Sequence, residues 1–371
     1  MEQLLVGITS LTWQHLVMMG IGGVLIWLAI AKGYEPTLLL PIGFGAILAN
    51  IPFSGAVTHG AEHGILSTLF AFGIETDLFP LLIFIAIGAM IDFTPLLSSP
   101  KMLLFGAAAQ FGIFFTMCLA AGFGFTLKQA ASIGIIGAAD GPTSIVVANR
   151  FAKELLPAIT VAAYSYMSLV PIIQPPVIKL LTTKAERRIR MDSVAFNTNI
   201  SKRTRILFPI IVTLISSLVV PSAAALIGML MFGNLLRESG VVDRLSKGAQ
   251  NELANIVTLM LGICIASVMQ ADQFLNSKTL MIMGMGIIAF VFDTAGGVLF
   301  AKVLNLFLRH KINPMIGACG ISAFPMSGRV VYKMGLEADP TNHLLMHAIS
   351  CNVGGQLGSV IAGGMILALV A

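Results

Sequence analysis

A single aspartate interrupts an apolar stretch near the middle of the chain, in the sequence GIIGAADGPTS that begins at Gly134. A helix is expected to stop at Gly141-Pro142, because proline lacks a donor and disfavours helical geometry in the preceding residue. The break frees backbone carbonyls beside the carboxylate of Asp140, and carboxylate, carbonyl and hydroxyl oxygens are the ligands that a hard cation such as Na⁺ prefers. Asp140 is therefore a candidate cation ligand, with a helix N-cap as its structural alternative.

A second broken segment, NPMIGACGISAFPMSGR, begins at Asn313 and carries no carboxylate. The neutral oxygen donors Asn313 and Ser322 take its place, and Arg329 lies at the far end. One acidic and one neutral break together would bind cations without excess negative charge in the membrane. Two structural alternatives stay open: Asn313 as a helix cap, and Arg329 as an ion-pair partner of Glu337 or Asp339.

Four further polar residues lie inside or beside apolar stretches. Tyr166 offers a hydroxyl for ion coordination or proton transfer, or is an aromatic residue at the membrane interface. Asn352 offers an amide oxygen, although the glycines after it suit close helix packing whatever the function. Asp92 and Asp293 are open between a functional role and solvation of a helix end.

These residues must be positioned by membrane helices. Of the 371 residues 57% are apolar and only 11% are charged, a balance that soluble enzymes, nucleic-acid-binding modules and disordered chains do not have. Apolar runs long enough to cross the membrane as helices lie at 15–32, 37–53, 78–92, 101–122, 155–178, 206–222, 253–269, 279–308 and 342–370. Shorter runs interrupted by Gly, Pro and polar residues, which predict broken or re-entrant helices, lie at 56–73, 128–150, 223–236 and 312–332. The pattern predicts an all-α polytopic membrane protein with ten to eleven passes.

One loop, residues 179–205, holds eight of the chain's 22 basic residues and only two acidic ones. By the positive-inside rule it is expected to be cytoplasmic. It is either an orientation signal alone or also a docking surface for a cytoplasmic partner.

The same loop separates two similar regions, 1–178 and 206–371. Short matches between them, among them IGA at Ile136 and at Ile316, recur at offsets of 177 to 185 residues. A nearly constant offset favours an internal duplication over chance similarity, and an odd number of crossings in each half would make the repeats inverted, as in many secondary transporters.

At these residues the sequence resembles the β subunit of the sodium-pumping, biotin-dependent decarboxylases that act on oxaloacetate, methylmalonyl-CoA or glutaconyl-CoA. The resemblance covers nearly the whole chain. Its motifs are GAADGPTSI at 137–145, YSYMSLVPIIQPP at 164–176, LTTKAERRIRM at 181–191, NPMIGACGISAFPMSGRV at 313–330 and GLEAD at 335–339.

The resemblance implies that the protein accepts carboxybiotin from a separate biotin carrier, decarboxylates it, and couples this step to Na⁺ export and proton uptake. It implies Na⁺ binding at Asp140, Asn313, Gly317, Ser322 and Asn352. It implies catalytic or coupling roles for Tyr166, Ser322 and Arg329, with Arg329 also engaged in handling carboxybiotin. No departure from the family occurs at these motif positions.

The resemblance also implies partners and a place in the cell. Expected partners are a carboxyltransferase α subunit, the biotin carrier, a small membrane-anchor subunit and further copies of the β subunit, with no nucleic acid. The expected location is the bacterial cytoplasmic membrane, and the acyl substrate is chosen by another subunit. The alternatives are a stand-alone cation/proton antiporter, which would use the same broken helices without biotin, and a purely structural anchor, which leaves Asp140 without a role.

Overall fold

The computed structural model describes residues 2–33, 36–60, 62–191 and 200–370. Throughout these ranges the regular secondary structure is helical, which confirms the all-α prediction. The physical reason is that backbone N–H and C=O groups in hydrocarbon must be satisfied within the segment itself. Residues 192–199, inside the predicted basic loop, lie outside the described residues.

The helices follow one another with short connections. Those of the first half are Glu2–Thr9, Trp13–Lys32, Pro36–Ala49, Ile65–Gly73, Leu78–Met90, Thr94–Ser98, Leu103–Ala109, Phe111–Gly122, Leu127–Gly134, Gly141–Phe151, Leu156–Ser168, Val170–Leu181 and Lys184–Arg187. Those of the second half are Lys202–Val219, Ala224–Ser239, Asp243–Gly248, Ala254–Ala266, Ala271–Phe274, Ser277–Phe307, Met326–Ala338 and Leu345–Leu369. Short 3₁₀ segments are Pro100–Met102, Ile135–Ala138, Lys153–Leu155, Pro221–Ala223 and Pro314–Gly320, and a π-helical turn is Ala249–Leu253.

By length and apolar composition, five helical segments in the described part of the chain could each cross a membrane. They are Trp13–Lys32, Pro100–Gly122, Asp243–Ala266, Ser277–Phe307 and Leu345–Leu369. Two bent pairs meet the same criterion together, Ile65–Gly73 with Leu78–Met90 at 65° and Lys153–Ser168 with Val170–Leu181 at 69°. The structure thus gives five spans, or up to seven with the bent pairs, and ten to eleven passes stay a prediction.

Residues 127–151 form a helical hairpin, called hairpin 1. It begins at a capping box in which Thr126 and Gln129 bond each other's backbone, and it turns at Ala139, whose φ of 53° is left-handed. The two ends of hairpin 1 lie together, because Gln129 Nε2 donates to Glu154 Oε1, just beyond the returning helix, at 2.9 Å. Hairpin 1 therefore enters and leaves the helical body at the same end.

Residues 314–338 form a second hairpin, called hairpin 2. Asn313 Nδ2, at its start, donates to the carbonyl of Arg187 at 2.9 Å. At its other end, Arg188 Nε donates to the carbonyl of Ala338 at 3.1 Å. Both ends of hairpin 2 therefore contact the basic loop.

The hairpins approach from opposite ends of the bent helix pair 153–181. Glu154, beside hairpin 1, lies at the start of this pair, whereas Arg187, beside hairpin 2, follows its end. Two of the four predicted broken segments, 128–150 and 312–332, are thus hairpins whose tips point towards the middle of the molecule. The segment 56–73 contributes Ile65–Gly73 to a bent pair. The prediction of a break within 223–236 was wrong, because these residues lie almost entirely in the continuous helix Ala224–Ser239.

Helices of the first half pack closely on helices of the second half at glycine residues. A Cβ added at Gly88 would lie 1.8 Å from the carbonyl oxygen of Leu230, so Leu78–Met90 packs on Ala224–Ser239. A Cβ added at Gly45 would lie 2.5 Å from Ala266 Cβ, so Pro36–Ala49 packs on Ala254–Ala266. Small residues permit such close approach of membrane helices.

Candidate functional site

The tips of the two hairpins meet in the core of the molecule. The backbone N–H of Ser322, at the tip of hairpin 2, donates to the carbonyl oxygen of Ala138 at 3.0 Å. Asp140 lies two residues after Ala138 and is the N-cap of Gly141–Phe151. Asp140 and Ser322 are each only 3% exposed. The structure therefore brings the two breaks together in the core, and their sharing of one cation site stays a prediction.

The Asp140 carboxylate accepts hydrogen bonds from three side chains on two helices. Its Oδ2 accepts from Thr143 Oγ1 at 2.8 Å, from Ser359 Oγ at 2.9 Å and from Gln356 Nε2 at 3.2 Å. Thr143 N donates to Oδ1 at 3.4 Å. The N-cap alternative therefore holds, but a cap alone does not require the donors from Leu345–Leu369.

Gln356 joins the two hairpin tips. Its Oε1 accepts from Ser322 Oγ at 2.8 Å while its Nε2 donates to Asp140. Asn352 lies one turn earlier on the same helix, donates to the carbonyl oxygen of Ile321 at 2.7 Å and is fully buried. Asn352 Oδ1 has no hydrogen-bond partner among the described residues, which leaves a free oxygen beside the hairpin 2 tip.

Asn313 lies away from this cluster. Its Oδ1 accepts from Met315 N at 3.1 Å, and its Nδ2 binds carbonyls of the basic loop. The seven-residue 3₁₀ segment Pro314–Gly320 separates Asn313 from Ser322, and at ~2 Å per residue it spans roughly 14 Å. The capping alternative for Asn313 therefore holds in this conformation.

Gly317 and Tyr166 both pack against the long helix Ser277–Phe307. A Cβ added at Gly317 would lie 2.0 Å from the carbonyl oxygen of Gly297, so only glycine fits there. Tyr166 is 4% exposed, and its hydroxyl donates to the carbonyl of Met283 at 2.5 Å. Tyr166 is therefore a buried residue rather than one at the membrane interface.

Arg329 is exposed on Met326–Ala338, one turn beyond the tip of hairpin 2. Its proposed partner Asp339 pairs instead with Arg190, at 2.9 Å. The Thr341 backbone N–H, then the Thr341 hydroxyl and Arg190, lower the pKa of Asp339 to about 2. Asp92 lies just beyond the end of Leu78–Met90, and its carboxylate lies 3.6 Å from Arg237. It is therefore a helix-end residue with a basic partner.

A cavity of about 250 Å³ adjoins Asp140. Its polar lining consists of side chains from both halves: Thr37, Asp140, Tyr164, Gln250, Asn255, Thr258, Ser322 and Gln356. Met90 also lines it, and the Met90 carbonyl accepts from Arg237 Nη1 at 2.8 Å. Since Arg237 and Arg205 share Glu238 as an ion-pair partner, the cavity lies towards the end of the molecule that carries the basic loop.

The arrangement is chemically suited to a cation. No basic side chain forms a salt bridge with Asp140 in the described ranges, and a buried carboxylate without one is costly unless a cation or proton neutralises it. The hydroxyl groups of Thr143, Ser322 and Ser359 lie beside it, and the unpaired oxygen of Asn352 lies one helical turn before Gln356. Such oxygens suit a hard cation.

Sequence reasoning found Asp140, Ser322 and Asn352 but missed Gln356 and Ser359. The signal was present, because positions 352, 356 and 359 have the i, i+4, i+7 spacing of one helical face. It was hidden because the same helix is rich in glycine, alanine and serine, which also serve plain helix packing.

Comparison with known proteins decides the family. A sequence model described as Na⁺-transporting oxaloacetate decarboxylase beta subunit matches residues 14–370. The chain belongs to this family. Its similarity to the glutaconyl-CoA decarboxylase subunit beta of Acidaminococcus fermentans is 50% identity over 98% of this chain and 95% of that protein.

Two other β subunits are almost as similar. The oxaloacetate decarboxylase beta chain of Klebsiella pneumoniae is 48% identical over 100% of this chain and 99% of its own length. The methylmalonyl-CoA decarboxylase subunit beta of Propionigenium modestum is 48% identical over 98% and 96%. The chain is thus a membrane subunit of a Na⁺-transporting decarboxylase complex, and relatives named for three acyl substrates match it almost equally.

Proposed function

We propose that the β subunit decarboxylates carboxybiotin and couples this reaction to Na⁺ export with consumption of a proton. The reaction breaks the bond between a biotin nitrogen and the carboxyl carbon, releases CO₂ and places one H⁺ on that nitrogen. The observation that carries the proposal is the Asp140 carboxylate, which is buried, has no basic partner in the described part of the chain, and is linked by hydrogen bonds to hairpin 2 through Gln356. A cation bound there acts on both hairpins at once.

The Na⁺ site that we propose consists of Asp140 with the oxygens of Ser322 and Asn352. Asn313 and Gly317 would act from the first segment of hairpin 2, Asn313 by holding it to the basic loop and Gly317 by permitting its contact with Ser277–Phe307. Coordination by Asn313 itself stays a prediction. If Ser322→Ala raises the half-maximal Na⁺ concentration and Asn313→Ala does not, the smaller site, without Asn313 as a ligand, is favoured.

The cavity beside Asp140 is the proposed entrance for carboxybiotin. It adjoins the Na⁺ site on the side of the basic loop, so a carrier on that side would reach it without crossing the ion site. Tyr164 faces this cavity with a hydroxyl that has no partner among the described residues. Arg329, one turn beyond the hairpin 2 tip, is proposed to hold the carboxylate of carboxybiotin, because guanidinium binds carboxylate in a bidentate fork. Tyr166 is proposed to pass a proton.

We propose ten crossings and two re-entrant hairpins, arranged as inverted repeats. The ten are the five long spans, the two bent pairs, and three shorter helices, Pro36–Ala49, Lys202–Val219 and 221–239. This gives five crossings in each half, an odd number that inverts the second repeat. The opposite approach of the hairpins and the reciprocal glycine contacts support this arrangement.

The basic loop is proposed to face the cytoplasm of a bacterial cell, beside the carboxyltransferase and the biotin carrier, with the small anchor subunit and further β subunits in the membrane. Its positive charge supports this side. A cysteine at Ala185 should react with a membrane-impermeant thiol reagent in inverted vesicles. Labelling only from outside intact cells would reverse the topology.

The proposed function is tested in inverted vesicles that contain the whole complex. We expect decarboxylation to drive ²²Na⁺ uptake, avidin to abolish both, and Asp140→Asn to abolish Na⁺ stimulation because a neutral amide cannot balance a buried cation. Asp243→Asn, the same change at an exposed helix start, is the matched control. Avidin-resistant Na⁺ uptake would instead indicate an antiporter, and near-normal Na⁺ stimulation in Asp140→Asn would refute the site.

A further inference from the structure

A second carboxylate is buried in the membrane part of the molecule, apart from the Asp140 site. Asp293 lies at the middle of Ser277–Phe307, and it is fully buried. No side chain in the described ranges donates a hydrogen bond to either of its oxygens, and the nearest donors are the backbone N–H groups of Gly112 and Ile113. Solvation at a helix end, the structural alternative for Asp293, therefore does not apply.

The Asp293 carboxylate lies between two glycines of the first half. A Cβ added at Gly112 would lie 2.0 Å from Oδ1, and one added at Gly137 would lie 3.1 Å from Oδ2. One turn away, Phe115 stacks on Phe292 with centroids 4.0 Å apart. Glycine backbone thus covers the carboxylate so closely that little room is left for the several oxygen ligands that a metal cation requires, whereas a proton needs no additional room.

Charged groups lie at the ends of the elements packed on the helix of Asp293. On its own helix Lys278 and Lys302 are at the two ends, and on Phe111–Gly122 the titratable residue is the exposed Cys118. Val170–Leu181 carries Lys179 in its last turn and Leu127–Gly134 carries Lys128 in its first, whereas Pro314–Gly320 carries the buried Cys319 and Leu103–Ala109 carries no titratable residue. The segment Ile135–Ala138 has none, and Asp140 beyond it bonds to Thr143, Gln356 and Ser359. On Leu156–Ser168, Tyr166 packs at Gly286, about 10 Å from Asp293 along the helix at 1.5 Å per residue.

Without a cation or a side-chain donor beside it among the described residues, the ionised form of Asp293 is strongly disfavoured in this packing. Ionisation must therefore be accompanied by a separation of the carboxylate from the glycine backbone, so that water or another polar group reaches it. Gly137 belongs to hairpin 1 and precedes Asp140 by three residues. Protonation of Asp293 and cation binding at Asp140 thus both act on residues 137–140 of hairpin 1.

We propose that Asp293 is the proton-binding residue of the transport cycle, the counterpart of the Na⁺ site at Asp140. This inference rests on the proposed function. The carboxylate takes up one H⁺ from the side to which Na⁺ is exported, becomes a neutral carboxylic acid that packs against Gly112 and Gly137, and releases the H⁺ towards the opposite side. There the proton replaces CO₂ on the biotin nitrogen.

The test measures Na⁺ and proton movement in the same inverted vesicles. The whole complex is reconstituted with a pH-sensitive dye in the lumen, and valinomycin with K⁺ removes the membrane potential so that passive proton leakage does not contribute. The parent should make the lumen more alkaline as ²²Na⁺ enters. Asp293→Asn, a neutral mimic of the carboxylic acid, should reduce this alkalinisation at least tenfold, while half-maximal Na⁺ stays within twofold. Asp243→Asn should match the parent.

Three results would overturn the inference. If Asp293→Asn makes the lumen as alkaline per Na⁺ as the parent does, Asp293 is structural. If that variant keeps the alkalinisation per Na⁺ but needs a tenfold higher half-maximal Na⁺ concentration, Asp293 is a cation ligand. If the parent itself causes no alkalinisation, no proton site is needed. If Asp293→Asn does not assemble, infrared difference spectra of the parent on Na⁺ addition replace it, and absence of any carboxylic-acid carbonyl change refutes the inference. In each case avidin-sensitive ²²Na⁺ uptake by the parent shows that the proposed function itself stands.

Discussion

The link from Ser322 through Gln356 to Asp140 yields the sharpest prediction, the effect of Gln356→Leu. Leucine is close to glutamine in size and removes both hydrogen bonds, at 2.8 Å to Ser322 and 3.2 Å to Asp140. The substitution therefore separates the polar link between the hairpin tips from the packing of the helix that carries it.

The magnitude follows from the bond to the carboxylate. A hydrogen bond to a charged group contributes about 1.5–3 kcal/mol net, and at 3.2 Å this one is longer than the ~2.7–2.9 Å of strong charge-assisted bonds, so the lower end applies. A loss of about 1.5 kcal/mol corresponds to roughly a tenfold change in an equilibrium constant. We expect Gln356→Leu to raise half-maximal Na⁺ about tenfold, because the bond favours the ionised, cation-binding form of Asp140 and fixes its orientation.

A second effect accompanies the first. The Ser322 hydroxyl loses its acceptor in a buried position, which costs about 1–3 kcal/mol and lowers the melting temperature of the complex. This cost is present with and without Na⁺, so it changes stability more than Na⁺ affinity. The two measurements therefore report on different bonds of the same residue.

The assay is decarboxylation by the purified complex over a series of Na⁺ concentrations, with choline chloride holding the ionic strength constant. Gln14→Leu, in the first turn of Trp13–Lys32 and remote from the hairpin tips, is the matched control and should leave half-maximal Na⁺ unchanged. A Gln356→Leu variant whose melting temperature falls while its half-maximal Na⁺ stays within twofold of the parent would refute the reasoning. Gln356 would then be a structural residue only.

Three further outcomes are expected. Gly317→Ala should lower the melting temperature and the Na⁺-dependent activity, because its Cβ would lie 2.0 Å from the carbonyl oxygen of Gly297 and overpacking costs about 1–3 kcal/mol. Gly284→Ala, on the long helix that also carries Gly297, is the control. Its Cβ would have no other atom within 4 Å, so it should be neutral in both assays. Tyr166→Phe should slow turnover and shift its pH optimum, and a pH profile identical to the parent's would remove Tyr166 from the proton path. Asp339→Asn should lower the melting temperature at pH 7 but not near pH 2, because a pKa held at about 2 means that this stabilisation is present above the ordinary pKa near 4 and is lost as the pH falls through 2.

Features that depend on a few neighbouring residues, such as the points where helices begin and end, could be predicted from the sequence. Gly141-Pro142 stops a helix wherever it stands, so the break beside Asp140 could be located without a structure, and the helix Gly141–Phe151 does begin there. The cap role of Asn313 follows from the same kind of rule. The helical class needed only composition.

Contacts between distant segments could not be predicted in this way. Asp293 faces Gly112, which is 181 residues earlier in the chain, and nothing near Asp293 in sequence distinguishes it from Asp92, which pairs with Arg237 at a helix end. Both are aspartates at the edge or in the middle of an apolar run. Only tertiary packing determines that Asp92 lies at a partly exposed helix end while Asp293 is buried against glycine backbone.

The two buried carboxylates differ in what surrounds them, and that difference supports the roles proposed for them. Asp140 accepts three side-chain hydrogen bonds and adjoins a cavity of about 250 Å³, so it has both polar partners and room for a cation. Asp293 has no side-chain donor among the described residues and is closely covered by glycine backbone, conditions that favour a neutral acid. The cycle that we propose uses one group for Na⁺ and the other for H⁺, and hairpin 1, with Asp140 at its tip and Gly137 against Asp293, lies in contact with both.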